Sequence, residues 1–590
     1  MALDDHNRTT PFYLGVSGHR DLRPEDLEDI RRPVADFLRL LKGHLPDTEL
    51  RVVAGMAAGA DLLVAEVALE LGIGVEAVLP KPLTAYAADF DPGTLRVLET
   101  LLRSPRVRCI ELSGQAPAVR GSEADESAQR DAPYLNLTRE IDRTCNLLLA
   151  IWDGSPSALT GGTADTVLRY LGMRTERNSH EVSVVLTDAP ADQQPPFTLV
   201  YWVPAARVSQ SPPRGEQPCF LSGLGDNVLQ RWRGMPKQLA SQLDELNAYN
   251  REYRQVARDA RKRRAPDSLA RTLPKDAPVP AATRAMLARI DAEYGKADAL
   301  AMYYQRRSDR LFTFFSLMAF VMGLAYLAYE RFIQVRMLLF VYLLVLFSSL
   351  GLYYLLHGRR WFAKHLMCRA LAETLRAKFY LHFAGADRLV DAEAVISLSG
   401  IDRFHGFSWI GHVLTSVEGP PQSAAERGDT QDCCVDDVDT AWIESQRKYF
   451  VSKVARLERA SRRTKHLQQS LFVVIMLVVV SLIALGDVAE RVRFGFGISL
   501  ENVLLFVMGV VAVVLGVWEL HQNKMATREL LWQYRNQLDH FSRARSQLSR
   551  TSTSARRREI LAELGKDSLM ESYLWTIHRY HREHEPPGRA

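Results

Sequence analysis

The sequence is poor in cysteine, and its six cysteines are not spaced as a zinc site or a disulfide framework requires. They are Cys109, Cys145, Cys219, Cys368, Cys433 and Cys434. Because no CxxC pair and no paired histidine pattern accompanies them, we predict free thiols in a reducing compartment. The first residues, MALDDHNRTT, lack the apolar region of a secretory signal, so we expect the first domain to stay in the cytosol.

A strong charge bias is also absent, since the formal net charge is +5 over 590 residues. The first 200 residues lack a basic and aromatic surface signature, which argues against a DNA-binding protein, and we expect no nucleic acid partner. The arginines cluster instead beside long apolar runs, as membrane topology requires. A chain of this length exceeds a single hydrophobic core, so we predict at least two domains.

Four long runs contain no Asp, Glu, Lys or Arg. They cover residues 311–329, 337–357, 467–486 and 502–518. Each approaches the roughly 20 residues that a helix needs to cross the hydrocarbon core. Short connections within each pair predict two antiparallel hairpins and an all-α membrane domain with four transmembrane helices. The absence of charge inside the runs argues against a proton relay or an ion-coupled transporter.

Basic residues flank the hairpins on the outside: Arg306, Arg307, Arg310, Arg359, Arg360, Lys364, Arg456, Arg459, Arg462, Arg463, Lys465, Lys524 and Arg528. Only Arg331, Arg336, Arg491 and Arg493 lie in the turns. By the positive-inside rule, we expect a multi-pass protein of the inner (plasma) membrane. Its N-terminus, central segment and C-terminus would be cytoplasmic.

Small residues share one helix face in the fourth apolar run. Gly509, Ala512 and Gly516 lie at positions i, i+3 and i+7, so another helix can approach closely there. That helix belongs either to another copy of the chain or to the same chain. We expect a homo-oligomer, and both packing arrangements stay open at this point.

Residues 12–204 alternate short apolar segments with helical periods. The apolar segments FYLGVSG, LRVVAG, GVEAVLP, VRCIEL, LLLAIWDG and FTLVYWVP predict six strands. Strands that alternate with helices predict an α/β Rossmann-like domain, with a parallel sheet and helices on both faces. In such sheets ligands bind beyond the carboxyl ends of the strands.

The candidate ligand-binding residues follow four of the predicted strands. They are Gly18, His19 and Arg20 after the first, Gly55, Gly59 and Asp61 after the second, Lys81 after the third, and Asp153, Gly161, Gly162 and Thr163 after the fifth. Glycines at a helix start let backbone amides approach an anion, and the helix dipole favours phosphate there. No catalytic residue, metal ligand or cofactor is predicted.

The motifs GVSGHRDL, VVAGMAAGADLLVAEVALELGI, AIWDGSPSALTGG and GGTADTVLRYL, in this order, resemble the SLOG superfamily. This Rossmann-like group includes DprA, the LOG enzymes and the N-terminal region of TRPM channels. The resemblance covers roughly residues 10–205 and implies a domain that binds or hydrolyses nucleotide-derived ligands. LOG enzymes carry a PGGxGTxxE pattern with a catalytic glutamate, whereas this chain reads GGTADTVL with no glutamate. Asp165 either substitutes for it or accepts helix amides, and we expect a sensor.

WIESQRKYF, RALAETLR and LGKDSLMESYLWTIHRYHRE resemble the SLATT family of two-helix membrane modules, spread over residues 285–585. The resemblance implies a pore-forming or membrane-disrupting effector, although this chain has two hairpins instead of one. We predict the following division: a SLOG-like domain (10–205), a linker with a charged helix (206–284), a first helical unit (285–398), an acidic loop (399–439) and a second helical unit (440–585).

Together the apolar runs and the two resemblances imply a membrane effector, in bacterial defence, whose helices respond to a nucleotide-derived signal. The expected partners are that small molecule, the lipid bilayer and further copies of the chain. The alternative is a membrane-anchored, LOG-like hydrolase of nucleotides or nucleoside phosphates.

Overall fold

The structure is a computed structural model, and it describes residues 9–112, 123–155, 161–173, 185–190, 196, 198–208, 216–224, 228–260, 268–274, 279, 281–332, 335–390, 409–419, 435–494, 498–525 and 527–583. Two compact units form. The first contains Met1–Ala270, Asp276–Lys296 and Asp391–Asp432. The second contains Arg271–Lys275, Ala297–Val390 and Cys433–Ala590.

The described strands are β1 (Phe12–Gly18), β2 (Leu50–Ala54), β3 (Gly74–Leu79), β4 (Val107–Glu111), β5 (Leu147–Trp152), β6 (Val185–Asp188), β7 (Val200–Pro204), β8 (Cys219–Leu224) and β9 (Val228–Trp232). The described α-helices are α1 (Leu27–His44), α2 (Ala60–Glu70), α3 (Leu83–Tyr86), α4 (Pro92–Leu102), α5 (Glu123–Thr144), α6 (Thr163–Tyr170), α7 (Lys237–Ala260), α8 (Ala281–Arg331), α9 (Arg336–His357), α10 (Trp361–Phe383), α11 (Trp409–Val417), α12 (Val435–Val438), α13 (Ser445–Leu485), α14 (Asp487–Arg491), α15 (Leu500–Met525), α16 (Thr527–Ser549) and α17 (Ser554–Glu583).

The strands of the first unit form one sheet in the order β4-β3-β2-β1-β5-β7-β8-β9-β6. Neighbouring strands are parallel, except that β8 runs antiparallel to both β7 and β9. From β1 the chain builds outward through β2, β3 and β4, and then returns to place β5 on the other side of β1. The carboxyl ends of the adjacent strands β1 and β5 therefore mark the topological switch point, beyond which ligands of such sheets bind.

The six predicted strands are confirmed as β1 to β5 and β7. Every residue of β5 is buried, as expected for a central strand that is covered on both faces. The predicted parallel sheet is confirmed for these six strands, and β8, which lies outside the predicted domain, adds an antiparallel neighbour to β7. β8 and β9 occupy a stretch that the sequence pattern assigns to a linker, and neither is predicted.

Aromatic stacking explains why β8 joins the sheet although its sequence does not stand out. Phe220 of β8 contacts Phe37 of α1 and Tyr201 of β7, with ring centroids 5.8 and 5.1 Å away. The rings of Phe37 and Tyr201 stack at 3.7 Å. These partners are far apart in the sequence, so no local pattern around residue 220 indicates the contact.

Helix α11 lies within the stretch that the sequence pattern assigns to an acidic loop. All nine of its residues are buried, and the ring of Trp409 lies 4.9 Å from that of Tyr249. Asn146, just before β5, donates a hydrogen bond to the carbonyl of His412 at 2.8 Å. The segment between the two hairpins thus contributes a core helix to the first unit. Residues 420–434 of the predicted acidic loop lie outside the described residues.

The second unit is helical and includes the four apolar runs. Four helices are long and apolar enough to cross a membrane, and at most 6% of each apolar window is buried within the chain. Large apolar side chains point outward there, for example Phe340 (67% exposed) and Ile483 (78% exposed). A water-soluble core would bury such residues, so their exposure favours a lipid environment over the alternative of buried core helices.

Helices α8 and α15 pack against each other through two glycines. A Cβ atom at Gly509 would lie 2.6 Å from Leu327 Cδ2, and one at Gly323 would lie 2.7 Å from Val513 Cγ1. Further along, the rings of Phe332 and Phe506 lie 4.6 Å apart. Residue numbers rise along one helix as they fall along the other, so the two helices are antiparallel. Gly509 therefore takes part in packing within the chain, whereas a Cβ at Gly516 would meet no other described part of the chain within 4 Å.

Replacing Gly509 with leucine is expected to separate α8 from α15, because the new side chain has no room beside Leu327. Overpacking of this kind typically costs about 1–3 kcal/mol. We expect Gly509→Leu to lower the melting temperature of the full chain in detergent. Gly516→Leu is the matched control on the same helix and should leave it unchanged. A change of oligomeric state in Gly516→Leu would show instead that this glycine faces another copy.

Candidate functional site

A cavity of about 370 Å³ opens at the carboxyl ends of β1 and β5. Its size falls in the usual range of small-molecule sites. The lining residues come from seven parts of the chain: Val16, Ser17, Gly18, His19, Arg20, Asp21, Ala57, Asp61, Tyr86, Tyr134, Leu137, Thr138, Ile141, Trp152, Asp153, Ser155, Gly161, Gly162, Thr163, Ala164, Thr166 and Arg207. The sheet topology therefore brings the predicted strand ends together at one place.

Eight of the eleven candidate residues line this cavity: Gly18, His19, Arg20, Asp61, Asp153, Gly161, Gly162 and Thr163. Gly55, Gly59 and Lys81 lie beside it without lining it. Contact of any of the eleven with a ligand stays a prediction. The wall also includes residues that the sequence did not single out, among them Tyr86, Tyr134, Thr138 and Arg207.

Gly59 closes the loop between β2 and α2 against the loop that follows β1. It adopts a φ of +79°, and a Cβ there would lie 2.6 Å from the carbonyl oxygens of both His19 and Arg20. The amide of Ala60 donates to the His19 carbonyl at 3.1 Å. Gly59 is thus needed for close contact between two backbones, and the first amide of α2 already has a protein acceptor.

The amino end of α6 forms another wall of the cavity. Gly161 has a φ of +76°, and a Cβ there would lie 2.9 Å from the Leu135 nitrogen. Thr163 and Ala164, the first two residues of α6, line the cavity. The first amides of a helix have no acceptor within the helix, so this end presents N–H groups and the positive end of the dipole.

Asp165 stabilises that turn from behind. Its side chain is fully buried, accepts a hydrogen bond from the Gly161 amide at 2.8 Å, and pairs with Arg169 Nε at 3.0 Å. Asp165 does not belong to the cavity wall. The sequence left two roles open for Asp165, namely replacement of the LOG glutamate and acceptance of amide hydrogen bonds. These contacts match the second role.

Asp61 faces the cavity from the first turn of α2 and is only 6% exposed. Its Oδ2 accepts a hydrogen bond from the Ala57 amide at 3.2 Å. Burial raises the pKa of Asp61 to about 6, although hydrogen bonds from the Ala57 and Gly55 amides and the charge of Arg20 oppose the rise. The carboxyl therefore changes its charge close to neutral pH.

This pKa predicts a pH dependence that Asp61→Asn removes. The folded-state pKa lies above the unfolded value of 3.8, so ionisation of Asp61 destabilises the fold as the pH rises from about 4 through about 6. A pKa shift of about two units corresponds to a loss of roughly 3 kcal/mol at most in the free energy of unfolding. We expect the melting temperature of Asp61→Asn to fall less than that of the wild type between pH 4.5 and 7. The exposed Asp36→Asn serves as control, and equal slopes for Asp61→Asn and the wild type would contradict the assignment.

His19 and Asp153 connect the ends of β1 and β5 across the switch point. Nε2 of His19 lies 3.0 Å from the Asp153 amide nitrogen and 3.3 Å from Asp153 Oδ1. Nε2 of His19 accepts the hydrogen of the Asp153 amide. Burial alone would raise the pKa of Asp153, but the adjacent His19 ring and the hydrogen bond from the Ser155 amide hold it below its usual value. Asp153 is therefore a charged acceptor in the wall.

Two cations surround the ring of Tyr134. The guanidinium of Arg20 lies 4.9 Å and the ammonium of Lys81 lies 5.1 Å from the ring centroid. Lys81 also pairs with Asp89 at 3.0 Å. Among the described residues no carboxylate forms an ion pair with Arg20. Lys81 is thus neutralised beside the cavity, while the charge of Arg20 stays available at its mouth.

Arg207 enters the cavity from the segment after β7. Its Nε lies 3.1 Å from both carboxylate oxygens of Asp21, and Arg23 donates to the Arg207 carbonyl at 3.0 Å. These contacts join the loop after β1 to the segment after β7. The predicted turn GVSGHRDL includes Asp21, but nothing around residue 207 in the sequence indicates this pairing.

The described residues contain no group of three or more His, Cys, Asp or Glu side chains that could hold a metal ion. The described cysteines, Cys109, Cys145, Cys219 and Cys368, form no disulfide. Cys433 and Cys434 lie outside the described residues.

Comparison with protein-family models and with curated proteins finds no match. Among solved structures, DNA processing protein A (DprA) from Streptococcus pneumoniae aligns with 31% of this chain at 16% identity and a TM-score of 0.18. The alignment covers 52% of that protein, which is about half of its length. With a likeness this low, the function has to be argued from the site itself.

Proposed function

We propose that the first unit binds a nucleotide-derived ligand in the cavity at the carboxyl ends of β1 and β5, and that binding controls the four membrane helices. The cavity at the switch point is the observation that carries this proposal. It combines a size suited to a small molecule, glycine-lined turns and the amino end of α6 at one sheet edge.

The chemistry of the wall fits a ligand with both phosphate and hydroxyl groups. Backbone amides at the start of α6 suit a phosphate, and so does the guanidinium of Arg20, which contacts Tyr134 but forms no ion pair with a described carboxylate. The carboxylates of Asp61 and Asp153 suit sugar hydroxyl groups, which can donate hydrogen bonds. The ring of Tyr134 in the cavity wall offers apolar surface for a base.

A sensor is favoured over a hydrolase because Asp165, the residue nearest to the LOG glutamate pattern, is held by Gly161 and Arg169. The hydrolase remains the second candidate because of Asp61. A buried carboxyl with a pKa of about 6 in a cavity wall has the properties of a general acid or base.

Two features of the chain support a connection between ligand and membrane helices. Helix α8 is continuous from Ala281 to Arg331, so residues of the first unit and the first apolar run belong to one helix. Helix α11, from the segment between the hairpins, accepts a hydrogen bond from Asn146, which lies between α5 and β5, and α5 contributes Tyr134, Leu137 and Thr138 to the cavity wall. A shift of α5 on ligand binding would reach α11 directly.

We propose that the hairpins lie in the inner membrane with both termini and the central segment in the cytoplasm. The helices would act as a SLATT-like, oligomeric effector in bacterial defence, either opening a pore or disrupting the bilayer. Switching a bundle from mostly closed to mostly open requires the ligand to prefer the open state by roughly 5 kcal/mol. In an oligomer, several ligand sites would together supply this free energy, so each site needs a weaker preference for the open state.

Thermal stability with a nucleotide panel tests the binding step. The full chain is used, since a fragment that ends near residue 210 would lack β8, β9, α7 and α11. We expect one member of a panel of AMP, ATP, NAD, ADP-ribose and cyclic nucleotides to raise the melting temperature, because a ligand of the folded state stabilises it. Product formation in the same samples would favour the hydrolase. No shift with any nucleotide would contradict the proposal.

Dye release from liposomes tests the effector step. Liposomes that contain the full chain should release an encapsulated dye when the stabilising nucleotide is added and retain it otherwise. A nucleotide that binds without causing release would contradict the effector role and leave the binding proposal intact.

A further inference from the structure

Arginines and aromatic rings surround the ends of the first hairpin. The guanidinium of Arg307 lies 4.5 Å from the ring centroid of Tyr303 and 5.2 Å from that of Trp361. The guanidinium of Arg360 lies 5.9 Å from the ring of Tyr580 and donates a hydrogen bond to its hydroxyl. We call these five residues the arginine–aromatic cluster.

The charge around the cluster is not neutralised. Among the described residues no carboxylate forms an ion pair with Arg306, Arg307, Arg310, Arg359 or Arg360. Asp309 is the only acidic residue in the segments 300–310 and 357–364. The second hairpin differs, since Glu458 pairs there with Arg535 and with Arg462. The first hairpin thus has an excess of positive charge at the end opposite to its turn.

The cluster lies where lipid headgroups would be. Arg307 precedes the first apolar run by one helical turn, and Arg360 follows the second run by three residues. In an antiparallel hairpin both positions are at the same end of the membrane span. Trp and Tyr are enriched at this depth, because their rings have both apolar and polar parts.

Stacking leaves these guanidinium groups able to bind an anion. An arginine that stacks on an aromatic ring uses the face of its planar group, and its N–H edge stays open for a phosphate. Arg307 carries such an edge next to Trp361. Arg360 uses one of its NH2 groups for the Tyr580 hydroxyl and keeps its other N–H donors for an anion. A phosphate is the complementary partner, and the neighbouring apolar helices would accommodate its acyl chains.

We propose that the arginine–aromatic cluster is a binding site for the phosphate headgroup of an anionic phospholipid. The inference requires that the four helices span a membrane, but it does not depend on nucleotide binding. The lipid would stabilise the junction of α8, α10 and α17, which supply the cluster. Clusters of basic residues at a cytoplasmic helix end are known to select anionic lipids.

Lipid retention tests the site. The full chain is purified from membranes of equal phosphatidylglycerol and phosphatidylcholine content, and the co-purified lipids are quantified. We expect Arg307→Ala/Arg360→Ala to lower the enrichment of phosphatidylglycerol at least about tenfold. The matched control is Arg459→Ala/Arg463→Ala beside the second hairpin, which removes the same charge and should retain wild-type enrichment.

Equal losses in both double variants would show a diffuse surface charge and overturn the site. Unchanged enrichment in the cluster variant would overturn it as well. If the alanine variant does not fold, Arg307→Lys/Arg360→Lys replaces it, since lysine keeps the charge without the planar stacking and should lose part of the enrichment. A rise in melting temperature with 10 mM inorganic phosphate equal to that with phosphatidylglycerol would assign the cluster to free phosphate instead.

Discussion

Arg20→Glu is expected to abolish nucleotide binding to the first unit. Arg20 lies at the mouth of the cavity, and no described carboxylate pairs with it, so its charge is free to contact a phosphate. A hydrogen bond to a charged group contributes roughly 1.5–3 kcal/mol, and reversal of the charge adds repulsion. We therefore expect at least about a hundredfold weaker binding of whichever nucleotide stabilises the wild type, measured by calorimetry on the full chain.

The control for this experiment is Arg39→Glu on α1. Arg39 is 60% exposed and pairs with Asp36, away from the cavity wall. It should bind nucleotide as the wild type does, which separates a local effect from a change in net charge. Wild-type affinity in Arg20→Glu would move the phosphate to another part of the molecule.

Trp409→Ala is expected to open the membrane helices without nucleotide. Trp409 is 5% exposed and anchors α11 against Tyr249 of α7. Truncation of a buried tryptophan to alanine typically costs about 3–5 kcal/mol, and most of this loss would fall on the docking of α11. If docked α11 holds the effector closed, liposomes with this variant should release dye in the absence of any ligand.

Trp532→Ala is the matched substitution for this test, because Trp532 is 63% exposed. Liposomes that contain the Trp532→Ala chain should retain the dye until nucleotide is added. Circular dichroism checks that the Trp409→Ala chain keeps its helix and strand content. If liposomes with Trp409→Ala retain the dye without nucleotide and release it normally when nucleotide is added, α11 is only a structural part of the core.

Local periodicity made a large part of the fold predictable. The strands β1 to β5 and β7 are short apolar segments bounded by turns, and the membrane helices are long runs without charge. The glycine turns were also predictable, because glycine between a strand and a helix indicates a tight turn. Gly59 and Gly161 indeed adopt φ values that other residues disfavour. Parallel strands share one carboxyl edge, which is why most of the candidate residues meet at one cavity.

Contacts between distant segments were not predictable. Arg207 joins the cavity through Asp21, 186 residues away in the chain. Tyr134 becomes part of the wall because α5 packs beside β1, and its own surroundings in the sequence give no signal. The role of Asp165 also required the structure, because an acid at a helix start serves capping and catalysis equally well by sequence.

The sequence by itself determined which segments are strands, which helices are apolar enough for a membrane and which turns need glycine, because each depends on neighbours within one or two turns of chain. Tertiary structure alone decided that β8 extends the sheet, that α11 is a core helix rather than a loop, and that Gly509 packs against Leu327. These outcomes depend on the burial of surfaces supplied by remote residues, and the free energy of such contacts has no counterpart in a local pattern.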